Sequence, residues 1–317
     1  MRLTDFGPVW GASGVQGFFG EGYRHHRYLG PLKPRFNGMT FVAKTTTLRP
    51  NKGNMPLRPD FTPAELIPRC IITKPARGVV LNAVGLSGPG PERLLEQGAW
   101  QSATAPLMLS FMSTAGSADE RLEELDQFTE LLFLELSAFQ APVALQLNFS
   151  CPNVGLDPGG LISEISQALS IAAWLGIPLI PKLNALVPPA AAADIARHRH
   201  CAGLTLTNAI PWGALPERIN WEEIFGASTS PLRLRGFSSP GALSGAPLLP
   251  ILLDWLGYGR ALISKPINAG GGILHPRDVD RLRSVGADSI SVGSAAILRP
   301  WRVKAIIRRA HQLKNGR

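Results

Sequence analysis

Strand-like and helical stretches alternate along almost the whole chain, and this alternation limits the fold more than any other feature. A run of strand-forming residues is followed repeatedly by a helical run, which is typical of βα units around a parallel sheet. The candidate strands are Pro8–Ala12, Met39–Lys44, Val79–Asn82, Leu107–Phe111, Val143–Asn148, Pro178–Leu183, Gly203–Asn208, Leu262–Ile267 and Ser289–Val292. The clearest candidate helices are Glu120–Ala138, Leu161–Leu175, Pro188–Arg199, Pro247–Leu256 and Pro276–Val285.

These are nine candidate strands, and an eight-stranded barrel has room for only eight of them. Between Lys44 and Val79 the chain has no crossover helix, only a path rich in proline and glycine, and a parallel crossover needs a helix or an equally long connection. We therefore expect Val79–Asn82 to belong to an inserted hairpin after strand 2. The remaining units predict a single (β/α)8 TIM barrel domain over residues 1–317, with a long insertion at Trp212–Pro240 after strand 6.

The composition fits a compact domain, with 45% hydrophobic and 17% charged residues. The three cysteines cannot form a closed disulfide framework and have no metal-type spacing, which predicts a reducing, cytoplasmic setting and no metal site. No stretch approaches the ~20 apolar residues of a membrane span. The first residues have no apolar core of a signal peptide, so we expect none.

The net charge of +9 comes largely from a basic C-terminal segment. We expect an amphipathic final helix that buries Val303, Ile306 and Ile307 and leaves a solvated basic face. Nucleic-acid binding is the less favoured alternative, because no aromatic residues for base stacking alternate with these charges.

Polar side chains stand where several of the predicted strands end, which is where barrel enzymes build their active sites. These residues are Ser13, Lys44, Thr45, Asn82, Asn148, Cys151, Lys182 and Asn208. Any one of them could simply cap a loop or a helix. Together they would be costly at the barrel interior unless they met polar partners, so they predict one polar site.

The last two units predict a phosphate site. Asn268–Ile273 contains three consecutive glycines, and Val292–Ala295 contains a Gly-Ser pair one unit later. Barrels frequently bind phosphate in these two loops, where glycine lets backbone N–H groups approach the anion. A phosphate anchor, two lysines, a row of asparagines and a thiol suit flavin mononucleotide (FMN) with a small, planar, amide-rich anion above it.

The stretch Asn148-Phe149-Ser150-Cys151-Pro152-Asn153 resembles the dihydroorotate dehydrogenases of class 1, whose base is a cysteine. The resemblance extends over nearly the whole chain, through Ala12–Gly14, Lys44–Thr47, Leu81–Leu86, Lys182, Thr207–Asn208, Gly241–Gly245, Gly271–Ile273 and Gly286–Ser294. It implies a (β/α)8 barrel with FMN at its mouth. The implied reaction is the oxidation of (S)-dihydroorotate to orotate in pyrimidine biosynthesis.

The resemblance also implies a role for each matching residue. Cys151 would be the catalytic base that removes the C5 proton of the substrate, while hydride passes from C6 to N5 of the flavin. The implied substrate-binding residues are Lys44, Asn82, Asn148, Asn153 and Asn208. The implied cofactor-binding residues are Ala12, Ser13, Lys44, Thr45, Lys182, Gly245, Gly271, Gly272, Gly293 and Ser294.

Several features depart from the family pattern, among them Ala242 and the segment from Trp212 onward, and the electron acceptor stays open. Ala209 stands where relatives often have a hydroxyl residue, and the loop after Asn153 is short. Class 1 includes homodimers that use fumarate and forms that use NAD through a partner subunit with FAD and an iron–sulfur cluster. The stretch Gly241–Pro247 favours the second form. The resemblance implies a homodimer core and no membrane or nucleic-acid partner.

Other functions remain open from the sequence. Dihydropyrimidine dehydrogenases share a similar Asn-x-Ser-Cys-Pro stretch, and dihydrouridine synthases use an FMN barrel and a cysteine on tRNA. A third alternative is a catalytically inactive barrel that binds only flavin or phosphate. The presence of Lys44, Cys151 and Lys182 favours an enzyme over that alternative.

Overall fold

The computed structural model describes residues 3–149 and 158–315. Cys151 and Asn153 therefore lie outside the described residues. The strands are β1 (Val9–Gly11), β2 (Phe41–Val42), β3 (Ile71–Lys74), β4 (Val79–Asn82), β5 (Leu107–Phe111), β6 (Val143–Asn148), β7 (Leu179–Leu183), β8 (Leu204–Leu206), β9 (Ile210–Pro211), β10 (Ala242–Gly245), β11 (Ile267–Ala269) and β12 (Ser289–Val292). The α-helices are α1 (Pro91–Leu95), α2 (Ala118–Leu136), α3 (Pro158–Ala172), α4 (Pro189–Arg197), α5 (Trp221–Phe225), α6 (Pro231–Leu234), α7 (Leu248–Leu262), α8 (Pro276–Ser284), α9 (Ser294–Leu298) and α10 (Val303–Asn315).

Eight parallel strands form the central sheet, in the order β1-β12-β11-β8-β7-β6-β5-β2. The two edge strands also meet, because Trp10 forms a parallel bridge with Thr40, just before β2. The Thr40 N–H donates to the Val9 carbonyl oxygen at 2.9 Å, and the Gly11 N–H donates to the Thr40 carbonyl oxygen at 2.9 Å. The sheet therefore closes on itself, and the predicted (β/α)8 barrel is confirmed.

The helix sequences show why helices cover this sheet. Ser117 begins α2 with a capping box: its hydroxyl accepts the Glu120 N–H at 3.2 Å, and the Glu120 carboxylate accepts the Ser117 N–H at 3.0 Å. On the inner face of α2, Phe128 stacks on Phe111 of β5 with ring centroids 4.3 Å apart. The helix is thereby fixed against the strand it follows.

The two insertions pair with each other. The predicted hairpin is β3–β4, and it joins β10 and β9 in a separate antiparallel sheet of order β3-β4-β10-β9. Leu243 lies opposite Leu81 in this sheet, and both are fully buried. A second hydrophobic core forms around them with Ile210 and Leu232. The sequence reading missed β9 and β10, which flank the 212–240 insertion.

The predicted position of the seventh barrel strand was wrong. We expected it at Leu262–Ile267, but the strand is β11, at Ile267–Ala269, because α7 continues to Leu262. Trp255, Gly259 and Ile263 are all buried, and their spacing of four residues continues the inner face of the helix. The apolar Leu262-Ile263 pair therefore ends a helix and does not begin a strand.

The final helix α10 has the predicted amphipathic form. Val303, Ile306 and Ile307 are buried, whereas Lys304 and Arg308 are exposed. In the part of the chain that the structure describes, no helix combines the length and the apolar character needed to cross a bilayer.

Candidate functional site

A cavity opens at the barrel mouth and reaches down between the strands. Its lining residues are Ala12, Ser13, Gln146, Lys182, Thr205, Thr207, Ala209, Ser244, Gly245, Leu248, Gly270, Gly271, Gly272, Ile273, Ser291, Gly293 and Ser294. All of the predicted cofactor residues except Lys44 and Thr45 are among them. The sequence elements that we assigned to one cofactor are therefore brought together by the fold.

Glycines let the loops at this cavity pack closer than side chains would allow. A Cβ on Gly245 would lie 2.1 Å from the Gly78 carbonyl oxygen, and one on Gly272 would lie 2.7 Å from the Gly245 carbonyl oxygen. Both glycines also have positive φ, +112° and +73°, where other residues are strained. The cavity wall here is bare backbone, which is the type of surface that binds phosphate.

Lys182 brings a buried positive charge to the cavity. It lies on β7 and is only 8% exposed, and burial lowers the pKa of its ammonium to about 8. No described residue forms an ion pair or hydrogen bond with the ammonium, and among the described lining residues Lys182 alone carries a charge. A buried cation without a partner is costly, so an anionic or electron-rich ligand would stabilise this wall.

A hydrogen-bond network connects the ends of neighbouring strands beside the cavity. The hydroxyls of Ser13 and Thr45 lie 2.8 Å apart. The Asn148 amide donates to the Thr45 hydroxyl at 3.4 Å, and the Asn208 Nδ2 donates to Asn148 Oδ1 at 2.7 Å. Four residues predicted from separate strand ends thus form one network, although Thr45, Asn148 and Asn208 do not line the cavity itself.

Lys44 and Asn82 lie apart from that cavity. The Lys44 ammonium donates to the Ser87 carbonyl oxygen and lies 4.7 Å from the centroid of the Phe18 ring. Burial lowers the pKa of Lys44 to about 8. Asn82 ends β4 in the second sheet, where its Nδ2 lies 3.4 Å from the Ala242 carbonyl oxygen. Lys44 thus contacts the loop after β4, whereas Asn82 contacts β10 of the second sheet.

Sequence reasoning missed the polar residues deeper in the barrel. Gln146 and Ser291 lie two residues before Asn148 and Gly293, on the same face of their strands, and both line the cavity. Ser291 donates to Asn268 Oδ1 at 2.5 Å, and Asn268 donates to Ser289 at 2.8 Å. The two-residue period of a strand was the signal that could have identified Gln146 and Ser291.

Comparisons with known proteins find dihydroorotate dehydrogenases among the relatives of this chain. No protein-family model matches the chain. A dihydroorotate dehydrogenase B (NAD(+)) catalytic subunit from Cutibacterium acnes is 28% identical over 95% of this chain and 87% of its own length. A dihydroorotate dehydrogenase A (fumarate) from Limosilactobacillus reuteri is 28% identical over 92% of this chain and 84% of its own length. Another A (fumarate) enzyme, from Lactobacillus delbrueckii subsp. bulgaricus, is 30% identical over 68% of this chain and 66% of its own length.

A solved structure supports the fold. The crystal structure of an Eimeria tenella DHODH in complex with ferulenol superposes with a TM-score of 0.66 and 18% identity, covering 98% of this chain and 82% of that one. Sequence similarity to both A and B enzymes spans more than nine-tenths of the chain. The resemblance read from the sequence is therefore confirmed: over most of its length the chain is similar to dihydroorotate dehydrogenases of both the A and the B class.

Proposed function

We propose that this protein is an FMN-dependent dihydroorotate dehydrogenase that oxidises (S)-dihydroorotate to orotate in pyrimidine biosynthesis. The observation that carries the proposal is the cavity at the barrel mouth, with its bare glycine loops and the charge of Lys182, which has no partner in the part of the chain that the structure describes. The names of the relatives support the substrate, since those proteins are dihydroorotate dehydrogenases.

The residues of the cavity fit FMN. The backbone at Gly271, Gly272 and Gly293, with the Ser294 hydroxyl, would hold the phosphate, because the close packing there leaves no room for a Cβ on Gly272. Lys182 would hold the electron-rich pyrimidine end of the ring. When bound, FMN would supply the hydride-accepting ring.

The asparagine network would hold the substrate. Asn148 and Asn208 are fixed against each other at 2.7 Å, so their remaining donors and acceptors have defined directions. An amide-rich ring such as dihydroorotate offers both kinds of group. Lys44, Asn82 and Asn153 complete the proposed substrate set through the family resemblance.

Cys151 would remove the C5 proton. A free thiol has a pKa of about 8.5, so cysteine is a residue type that can serve as a base in enzymes. In our proposal the chain contributes one base, and the asparagines orient the C5 proton toward it.

We propose that a partner subunit accepts the electrons from the reduced flavin. The relatives include both A (fumarate) and B (NAD(+)) enzymes at the same 28% identity, so their names do not favour one acceptor. The stretch Gly241–Pro247 favours the B form, in which a homodimer of this chain would pass electrons to a partner with FAD and an iron–sulfur cluster.

Replacement of Cys151 tests its proposed role as the base that removes the C5 proton. We expect Cys151→Ala to retain bound FMN but to lose at least about a hundredfold of the rate of flavin reduction by dihydroorotate at pH 7, which is a typical contribution of a general base. Stopped-flow absorbance without oxygen measures this rate. Reduction by dithionite serves as the control and should be unchanged. Reduction by dihydroorotate at the wild-type rate would show that Cys151 is not the base.

A further inference from the structure

Gln146 is a buried residue with one polar end that the protein does not satisfy. Among the described residues, four buried side-chain atoms lack a hydrogen-bond partner: Gln16 Oε1, His25 Nδ1, Gln101 Oε1 and Gln146 Oε1. Of these residues, only Gln146 lines the cavity at the barrel mouth. Leaving a buried acceptor unpaired destabilises a protein, so a ligand in the cavity is the natural source of the missing hydrogen bond.

The rest of the Gln146 side chain is held in place. Gln146 lies on β6 and is 2% exposed, and its Nε2 donates to the Thr205 hydroxyl on β8 at 3.2 Å. One end of the amide is therefore anchored across the barrel interior, while the other end belongs to the cavity wall. Such a group is preorganised to take a hydrogen bond from a ligand.

Because the Gln146 carboxamide is neutral, it does not compensate the positive charge of Lys182. Asn148 lies opposite Lys182 in the β6–β7 register, so Gln146, two residues earlier on the same face, is a diagonal neighbour of the lysine. Both side chains also line the cavity. A carboxylate at position 146 would compensate the ammonium, whereas the carboxamide leaves the charge of Lys182 available to a ligand.

We propose that Gln146 binds the flavin directly, by accepting a hydrogen bond from it, and that its neutral carboxamide leaves Lys182 as the one charged side chain among the described residues that line the cavity. This inference rests on the proposed function. It adds a specific contact and an electrostatic role to a residue on the barrel interior.

Two substitutions separate these roles. Gln146→Met removes the acceptor at nearly constant size, and we expect the dissociation constant for FMN to rise roughly 3- to 10-fold, which corresponds to one hydrogen bond. Gln146→Glu keeps the shape but adds a carboxylate beside Lys182. Because that carboxylate disfavours added negative charge on the ring, the two-electron equilibrium should move at least about tenfold toward the oxidised flavin, or about 30 mV more negative.

The measurements are FMN titration of the apoprotein by fluorescence quenching and the midpoint potential of the bound flavin. Gln101→Met is the matched control, since Gln101 also has a buried unpaired Oε1 but lies off the cavity, and it should leave both values unchanged. If Gln146→Glu does not fold, the FMN affinity of Gln146→Met decides the inference.

Equal FMN affinity in wild type and Gln146→Met, together with an unshifted potential in Gln146→Glu, would overturn this inference but not the proposed function. A folded wild-type apoprotein that takes up no FMN would instead overturn the proposed function, and this inference with it.

Discussion

At the scale of single residues, the burial of the Lys182 ammonium costs stability that a ligand at the proposed site would restore. Its ammonium is almost completely buried without a partner among the described residues. Its pKa is about 8, against an ordinary 10.5, because burial disfavours the charged form. In the ligand-free protein this charge lowers the free energy of unfolding, and a bound anionic group would recover that loss.

The apoprotein should therefore gain stability from Lys182→Met. Below pH 8 the wild-type lysine is charged in both states, so the full cost of burial, roughly 3 kcal/mol at about 1.4 kcal/mol per pKa unit, weakens the fold. As the pH rises from 8 to 10.5, the native state releases its proton before the unfolded state does, and stability recovers. Lys182→Met should therefore be more stable than wild type at pH 7, and its free energy of unfolding should rise less between pH 8 and 10.

Urea unfolding of the apoprotein as a function of pH measures this difference. Lys304→Met, on the exposed face of α10, is the matched control and should stay within about 0.5 kcal/mol of wild type. A Lys182→Met protein that is less stable than wild type at pH 7, with the same pH dependence, would contradict this account of the lysine.

At the scale of secondary-structure elements, the pairing of the two insertions positions one wall of the cavity. The β4–β10 pair holds Gly245 against Gly78, and Gly245 lines the cavity together with the preceding Ser244. The close approach depends on Gly245 having no Cβ, because a Cβ built there would lie only 2.1 Å from the Gly78 carbonyl oxygen. The second sheet is thus part of the site as well as a cover for the barrel.

Gly245→Ala should destabilise this sheet. The added Cβ would collide with the Gly78 carbonyl oxygen, and φ of +112° is strained for alanine, so we expect a loss of roughly 2–4 kcal/mol. Gly257→Ala is the matched control, because Gly257 lies in α7 with nothing within 4 Å of its Cβ position. It should be neutral or up to about 1 kcal/mol more stable. Thermal unfolding of both apoproteins compares them, and equal melting temperatures would refute the collision.

The same elements show what the sequence could and could not predict. Long apolar runs such as Val143–Asn148 identified their strands because the barrel buries both faces. The strand β9 has only two residues, one of them proline, and β10 ends in glycine, so neither has a recognisable strand pattern. Their conformation depends on pairing: β10 pairs with β4, which is far away in the sequence, and β9 pairs with β10.

At the scale of the whole molecule, closure of the barrel determines which predicted residues meet. Motifs at strand ends could be read from the sequence because all parallel strands end at one rim. Which of them enter the cavity depends on three-dimensional packing: Ser13 and Lys182 do, whereas the Lys44 ammonium binds the Ser87 carbonyl oxygen. Gln146 was missed because a lone glutamine inside an apolar strand is easily read as part of the core.

FMN should stabilise the whole protein much more than riboflavin does. A ligand that binds only the native state at a hundred times its dissociation constant adds about 2.7 kcal/mol to the free energy of unfolding. Riboflavin lacks the phosphate that the glycine loops would bind, so at the same concentration it should raise the melting temperature far less. Differential scanning fluorimetry of the apoprotein compares the two ligands. Equal shifts would show that the loops at Gly271–Gly272 and Gly293 do not bind phosphate.

The most direct test of the proposed reaction is anaerobic titration of the FMN-loaded protein with (S)-dihydroorotate. We expect the visible absorbance of the oxidised flavin to be lost and one orotate to form for each flavin reduced. The orotate is quantified in the same samples by chromatography. A protein that binds FMN, is bleached by dithionite and keeps its full colour at every concentration of dihydroorotate would contradict the account.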